Sequence, residues 1–233
     1  MPERIAFVAA MEREVKPLVR GWKQRRLEHA GRRYGIFENG NAVVICGGIG
    51  LQTARRATEA VIQEIKPMRV VSVGFAGALD PALNIGEIVE PGIVINANDG
   101  VRTHAGSGKH SLVTTATVAG REQKRKLREA YGAALVDMEA AAVAQGAEAR
   151  GIEFSALKVI SDGAEFAMPD MQHFITSDGR LRQTAFAVHL ALRPWIWRTA
   201  IELARNSARA SRSLSAAILD YLQRQTVGAE QRV

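Results

Sequence analysis

The sequence predicts a single-domain α/β protein with a helical C-terminal extension. Short apolar runs of strand length alternate with amphipathic segments of helical length over residues 4–164. Glu12, Glu139 and Asp162 each follow such an apolar run. Because α/β sheets bind ligands where strands run into helices, these three acids predict one site built from converging strand ends. We expect residues 1–165 to form the α/β core and residues 166–233 to pack on the same domain as a loop and helices.

The junction at residues 135–144 is the most informative stretch. Its first part is a short apolar run, and an alanine-rich helix is predicted from Met138 to about Ala149, ending before Gly151. Further strands are predicted at residues 4–10, 69–73, 83–89, 92–96, 112–118 and 154–160, and helices at residues 53–65 and 122–130. A hairpin is predicted for residues 34–38 and 42–46, which Asn39-Gly40-Asn41 joins.

Two strand–glycine–helix junctions raise the question of dinucleotide binding. Gly48 and Gly50 lack a third glycine three residues later, and no acidic residue follows the next strand at the right distance. The glycines are better explained as places where the backbone approaches a ligand closely. Residues 97–110 are polar and glycine-rich, so a mobile loop is expected there.

Composition is that of an ordinary globular protein, with 47% hydrophobic and 24% charged residues in a chain of 233. The lone Cys46 lies in an apolar run and is expected to act as a small buried hydrophobe. The five histidines show no ligand spacing with Cys or carboxylates, so a metal site is poorly supported. The N-terminus lacks a signal-peptide pattern, which favours a cytoplasmic location.

The net charge of +7 is unevenly distributed, with basic clusters at residues 23–33, 121–128 and 193–212. Solvated faces explain such clusters without a nucleic-acid partner, for which no motif exists. In the tail, helices are predicted at residues 181–192 and from about 193 to 222. Trp195 and Trp197 stand among arginines there. Packing against the core or a partner subunit is favoured over anchoring at a membrane interface, although peripheral membrane contact stays open.

Five ordered motifs resemble the nucleoside phosphorylase/nucleosidase superfamily, and most closely its 5′-methylthioadenosine/S-adenosylhomocysteine nucleosidases. They are AAME at residues 9–12, GGIG at 47–50, VGFAGA at 73–78 with NIGEIV at 84–89, VDMEAAA at 136–142 and ISD at 160–162. The resemblance implies a mixed, twisted sheet flanked by helices, a small-molecule nucleoside substrate, often a homodimer, and no cofactor.

The resemblance also implies roles for individual residues. Glu12 would activate water, Met138 and Glu139 would hold the ribose, and Asp162 would protonate the purine. The remaining residues expected to contact substrate are Gly74, Phe75, Ala76, Gly77 and Ser161. The expected reaction is hydrolysis of the N-glycosidic bond of a 5′-substituted adenosine to release adenine, in which two carboxyl groups in unlike environments divide the work.

Two departures from the family pattern leave alternatives open. Phe75 stands where such nucleosidases commonly have serine, and the segment between Glu87 and Asp137 is shorter than expected. The shortened segment and the Trp/Arg-rich tail resemble hopanoid-associated members of the superfamily, which are proposed to remove adenine from adenosylhopane. A phosphate-dependent purine nucleoside phosphorylase is a further alternative: Glu12 stands where phosphorolytic relatives have a glycine-and-arginine phosphate loop, but Arg13 and Arg55 lie near the motifs in sequence. A non-catalytic nucleoside-binding protein is the last.

Overall fold

The computed structural model describes residues 4–169 and 171–230. Strand and helix bounds in chain order are β1 Ile5–Ala9, α1 Glu12–Val19, β2 Lys23–His29, β3 Arg32–Asn39, β4 Ala42–Cys46, α2 Leu51–Ile65, β5 Arg69–Ala78, β6 Ile88–Val89, β7 Ile93–Asn96, β8 Arg102–His104, β9 Ser111–Thr114, α3 Arg121–Tyr131, β10 Leu135–Asp137, α4 Ala140–Glu148, β11 Glu153–Asp162, α5 Gln183–Ala191 and α6 Trp197–Glu230.

All of these strands join one mixed sheet. Its main path runs β2-β3-β4-β1-β5-β10-β9-β7-β8, while β11 pairs with β5 and with β6. Strands β4, β1, β5 and β11 pair in parallel, whereas β10 runs antiparallel to β5. The mixed central sheet with flanking helices confirms the predicted fold class.

Helices cover both faces of the sheet, as the alternating side chains of β1 illustrate. Phe7 packs with α1 and α6 on one face, and Val8 packs with α2 and α4 on the other. The C-terminal helix belongs to the first layer, since Leu214 and Ile218 are fully buried in the same cluster as Phe7. The strands are therefore apolar on both faces, as expected for a sheet covered twice.

Two segments differ from the sequence expectations. The basic run at residues 23–33 keeps most of its charged side chains exposed, as expected of a solvated face, but it also contains the unpredicted edge strand β2, in which Leu27 is buried. The segment expected as a mobile loop contains β8, which pairs with β7. Charged edge strands and short polar strands carry little apolar periodicity, so the sequence pattern did not reveal them.

The tail is helical as predicted, but its tryptophans are not packed on the core of the chain. Trp195 is 74% exposed and Trp197 is 50% exposed. The Trp197 indole nitrogen still donates a hydrogen bond to the Leu190 carbonyl at 2.7 Å. The expectation of packing on the core is therefore corrected, while packing of the tryptophans against a partner subunit stays a prediction. Among the described helices, none combines the length and apolarity needed to cross a bilayer.

Candidate active site

A cavity lies where β1, β5, β10 and β11 end. It brings together most of the residues that the sequence singled out, and those that line it are Phe75, Ala76, Gly77, Met138, Glu139, Ser161 and Asp162. Segments far apart in the chain supply them, as expected for a site at the ends of sheet strands. Residues from the tail and α6 also line the cavity, among them Met171, Leu203 and Ser207.

The first acidic position needs correction, because the structure places Glu14 in this cavity and Glu12 outside it. Glu14 is 3% exposed and lines the cavity, whereas Glu12 is exposed and borders an adjacent groove. Both residues lie in the first turn of α1. Because they are two residues apart, their side chains point in directions about 200° apart around the helix axis. The buried face of α1 carries Glu14, Val15 and Leu18, so the packing of the helix on the sheet turns Glu12 outward.

Gly74 makes room for the Glu14 carboxylate. A Cβ at this position would lie 2.9 Å from Glu14 Oε2, and the backbone has φ +144°, which other residues rarely adopt. Gly74 itself therefore borders the carboxylate. The Met11 amide donates to Glu14 Oε2 at 3.4 Å. Burial raises the pKa of Glu14 to about 7, with the positive charges of Arg13 and Lys158 opposing that rise.

Glu139 is the N-cap residue of α4 and lies two residues after the end of β10. Its Oε1 accepts a hydrogen bond of 2.8 Å from the Gly50 amide, which fixes the carboxylate beside the glycine motif before α2. Burial raises the pKa of Glu139 to about 8, and the negative charge of Asp137 adds to the effect. Met138 lies beside it on the cavity wall.

Asp162 is the last residue of β11 and is 4% exposed. The pairing with β5 shifts register between Ile160 and Asp162, a bulge that leaves Ser161 unpaired in the ladder. Ser161 Oγ donates to Asp162 Oδ1 at 2.7 Å. The other oxygen, Oδ2, forms an ion pair with Lys124 from α3, and both side chains are almost fully buried.

A second buried ion pair lies beneath the cavity. Lys158 Nζ is 2.8 Å from Asp137 Oδ2 and donates to Ser72 Oγ at 3.0 Å. Asp137 also accepts from Thr114 Oγ1 at 2.6 Å and from the Ala140 amide at 2.9 Å. All polar atoms of this pair thus find partners, as a buried charge requires.

Sequence reasoning missed Glu14, Asp137, Lys124 and Lys158. Signals for the two lysines existed: Lys158 interrupts the apolar run of β11, and Lys124 shares a helix face with the buried Leu127. A lysine at a position that pattern assigns to the core requires a buried acidic partner. Which acid provides it depends on contacts across the chain, and the pattern carries no information about those.

A groove adjoins the cavity along α1 and α6. Its volume is about 1120 Å³, compared with about 150 Å³ for the cavity. Phe75 and Met171 line both spaces, so the two adjoin. The groove combines apolar residues such as Trp22 and Phe186 with basic side chains at its rim, including Lys16 and Arg212. Over residues 4–169 and 171–230, no group of three or more His, Cys, Asp or Glu side chains is arranged to hold a metal.

Comparison with known proteins assigns the chain to a family. The sequence model of the family described as "Phosphorylase superfamily" matches residues 4–119 and 111–192. The chain therefore belongs to the phosphorylase superfamily, which confirms the resemblance found in the sequence motifs.

Relatives and solved structures agree with this assignment. A 5′-methylthioadenosine/S-adenosylhomocysteine nucleosidase of Staphylococcus aureus is 25% identical over 195 residues, covering 68% of this chain and 86% of that protein. The apo structure of Arabidopsis thaliana 5′-methylthioadenosine nucleosidase superposes with a TM-score of 0.73 at 20% identity, over 95% of both chains. Helicobacter pylori futalosine hydrolase gives a TM-score of 0.67 at 16% identity, over 94% of this chain and 98% of that one. The predicted enzyme class, an N-glycosyl hydrolase, agrees with the names of these proteins.

Proposed function

We propose that this protein is a nucleosidase that hydrolyses the N-glycosidic bond of an adenosine-type nucleoside carrying a 5′ substituent, and so releases adenine. The observation that carries the proposal is the convergence of Glu14, Glu139 and Asp162 on one cavity. The names of the relatives support the substrate class, and the chemistry of these carboxylates supports the reaction.

Glu14 is the proposed base for the attacking water. Breaking an N-glycosidic bond develops positive charge on the sugar, and a water molecule must then be deprotonated as it adds to the anomeric carbon. A carboxylate with a pKa of about 7 suits a general base at neutral pH, because the ideal catalytic pKa lies near the working pH. Glu14 therefore takes the role that the sequence resemblance gave to Glu12.

Glu139 and Met138 are the proposed ribose contacts. Carboxyl oxygens accept hydrogen bonds from sugar hydroxyls, and this contact does not require Glu139 to be ionised at neutral pH, which lies below its pKa of about 8. The Gly50 amide holds Glu139 in a fixed orientation, so little reorganisation is needed when the sugar binds. Asp162 lies in the same cavity beside Gly77, where the departing purine is proposed to lie.

Adenine release from 5′-methylthioadenosine tests the proposal. Wild-type protein should release free adenine, and Glu14→Gln should lower kcat by about 10²–10⁴-fold, the usual contribution of a positioned acid or base. Glu12→Gln is the matched control and should retain activity, since Glu12 is exposed outside the cavity. A wild-type protein that binds the nucleoside but never releases adenine would instead be the non-catalytic binding protein.

Hydrolysis is favoured over phosphorolysis by the charge around the cavity. Arg55 pairs with Glu59 on the exposed side of α2, and Lys124 and Lys158 are each paired with a buried aspartate. Among the described cavity-lining residues, this leaves Arg13 as the arginine available to bind phosphate. A phosphate site usually needs several such groups, so the charge distribution favours water as the nucleophile. Adenine release in phosphate-free buffer is expected, and strict dependence on phosphate would overturn the hydrolase assignment.

A second candidate for the substrate is a nucleoside with a large apolar 5′ substituent, as in adenosylhopane. Ligand sites usually measure about 300–1,000 Å³, so a cavity of about 150 Å³ leaves part of the nucleoside to extend into the adjoining groove. We expect kcat/KM to rise along a series from 5′-methylthio- to 5′-decylthioadenosine. Ala208→Trp, which narrows the groove from α6, should remove this preference and spare the methylthio substrate. If kcat/KM does not depend on the length of the 5′ substituent, the proposal of a large apolar substituent is refuted.

Peripheral membrane contact is a related proposal. Exposed apolar side chains cluster around the α5–α6 junction, among them Leu192, Trp195 and Ile201, and arginines flank them. Such a surface favours anionic bilayers. Leu192→Ser with Trp195→Ser should abolish co-sedimentation with vesicles containing phosphatidylglycerol, whereas Leu219→Ser, at another exposed site on α6, should not. Negligible wild-type binding would refute it. The homodimer implied by the family resemblance is a separate prediction, which analytical ultracentrifugation tests.

A further inference from the structure

Arg32 joins two segments that border the candidate site. It is the first residue of β3, and its Nη2 donates to the Gly47 carbonyl at 2.9 Å and to the Asp178 carbonyl at 2.6 Å. Gly47 begins the glycine motif at residues 47–50, which precedes α2, and Asp178 belongs to the tail. A single guanidinium nitrogen therefore bridges this motif and a segment that lies 146 positions after Arg32 in the chain.

A second contact holds the tail on the glycine motif. The Ile49 amide donates to the Gly179 carbonyl at 2.8 Å. The two segments lie so close that a Cβ on Gly179 would be 2.6 Å from the Ile49 carbonyl oxygen. A Cβ on Gly48 would be 3.1 Å from Arg32 Nη2, and both glycines have positive φ values that other residues rarely adopt. The glycine motif is thus held between Arg32 and the tail.

The next amide along the glycine motif orients Glu139. The Gly50 amide, which follows directly after Ile49, donates to Glu139 Oε1 at 2.8 Å. Because each peptide unit is planar, the direction of the Gly50 amide depends on the backbone conformation of the residues before it. That conformation is fixed by the contacts of the motif with Arg32 and the tail. A chain of contacts therefore runs from Arg32 through the motif to the carboxyl group of Glu139.

Stability alone gives a poor reason for this arrangement. Arg32 Nη1 is buried and has no hydrogen-bond partner within residues 4–169 and 171–230, and a buried polar atom without a partner costs free energy. The neighbouring Arg33 is instead exposed and pairs with Glu28 at 3.3 Å. The planar guanidinium group of Arg32 is well suited to hold two backbone segments in a fixed relation. A stability cost that is kept beside a ligand cavity points to a role in the site.

We propose that Arg32 is a positioning residue for ribose binding, which holds the glycine motif so that the Gly50 amide keeps Glu139 in place. The proposal rests on the nucleosidase function above, in which Glu139 contacts the ribose. The Gly50 amide uses Oε1 of Glu139, which leaves Oε2 for a sugar hydroxyl. Arg32 is not among the residues that line the cavity, so its effect on the ribose is exerted through Glu139.

Ligand affinity in a double-mutant cycle tests the proposal. The probe is 5′-methylthiotubercidin, in which carbon replaces N7 of the purine so that the base cannot be protonated there, and titration calorimetry gives its Kd. Arg32→Met and Glu139→Ala should each weaken binding by about 10–100-fold, the scale of loss that a misplaced contact causes. The double variant should bind no more weakly than Glu139→Ala, because effects that act through one contact do not add. Arg33→Met, at the neighbouring exposed position, is the matched control and should bind as wild type does.

Arg32→Lys provides a conservative variant. Lysine keeps the positive charge and can donate to both carbonyl groups but lacks the planar fork, so its affinity should lie between those of wild type and Arg32→Met. Unchanged affinity in Arg32→Met, or equal weakening by Arg32→Met with and without Glu139→Ala, would overturn the proposal. If wild-type protein binds the probe but releases no adenine from 5′-methylthioadenosine, hydrolysis fails while the cycle still decides the role of Arg32. If wild-type protein does not bind the probe, both proposals fail.

Discussion

Glu14 should cost the protein stability while serving catalysis. Burial raises the pKa of Glu14 from 4.5 to about 7, and each pKa unit corresponds to about 1.4 kcal/mol. Keeping this side chain ionised in the folded state above pH 7 therefore costs about 3 kcal/mol. Glu14→Gln removes the charge, keeps the shape and retains an oxygen that can accept from the Met11 amide.

The sign of the pH dependence follows from the two pKa values. In the unfolded chain Glu14 ionises near pH 4.5, and in the folded chain near pH 7. Between these values the folded state holds more protons, so wild-type stability falls as pH rises. Glu14→Gln should match wild type at pH 4 and exceed it by about 3 kcal/mol at pH 8, which raises Tm by about 6–12 °C.

Thermal unfolding followed by circular dichroism from pH 4 to pH 8 measures this difference. Glu12→Gln provides the control, because the exposed Glu12 should give the same Tm as wild type throughout. A Glu14→Gln variant that is less stable than wild type at pH 8, or a Tm gap that does not change with pH, would refute the account of Glu14 as a desolvated carboxylate.

Three further predictions concern the same site. The kcat/KM for adenine release should rise with pH through about 7 as Glu14 ionises, and a flat profile would argue against Glu14 as the base. Gly74→Ala should lower stability by about 1–3 kcal/mol in urea unfolding and reduce kcat, because its Cβ would lie 2.9 Å from Glu14 Oε2; unchanged kcat would contradict this. Lys158→Met should lower stability by about 3–5 kcal/mol by leaving Asp137 buried without its partner, and adding Asp137→Asn should recover part of the loss.

Local sequence signals predicted much of the fold. The turn at Asn39-Gly40-Asn41 predicted the hairpin that the structure has as β3 and β4, since turn residues act over a few positions. The apolar runs predicted β1, β5 and β11 because strands buried on both faces need apolar residues throughout. By contrast, the charged edge strand β2 has no such pattern, and its pairing with β3 defines it.

The candidate site likewise has features that the local sequence predicts and features that only the tertiary structure defines. The sequence by itself determined that acids stand at strand ends, because a strand followed by a carboxylate is a pattern of adjacent residues. Only the tertiary structure decided that Glu14 rather than Glu12 turns inward, since the rotation of α1 depends on which face packs against the sheet. It alone also decided that Lys124 meets Asp162 across 38 positions of the chain. Contacts between distant segments arise from packing, and no local spacing of residue types records them.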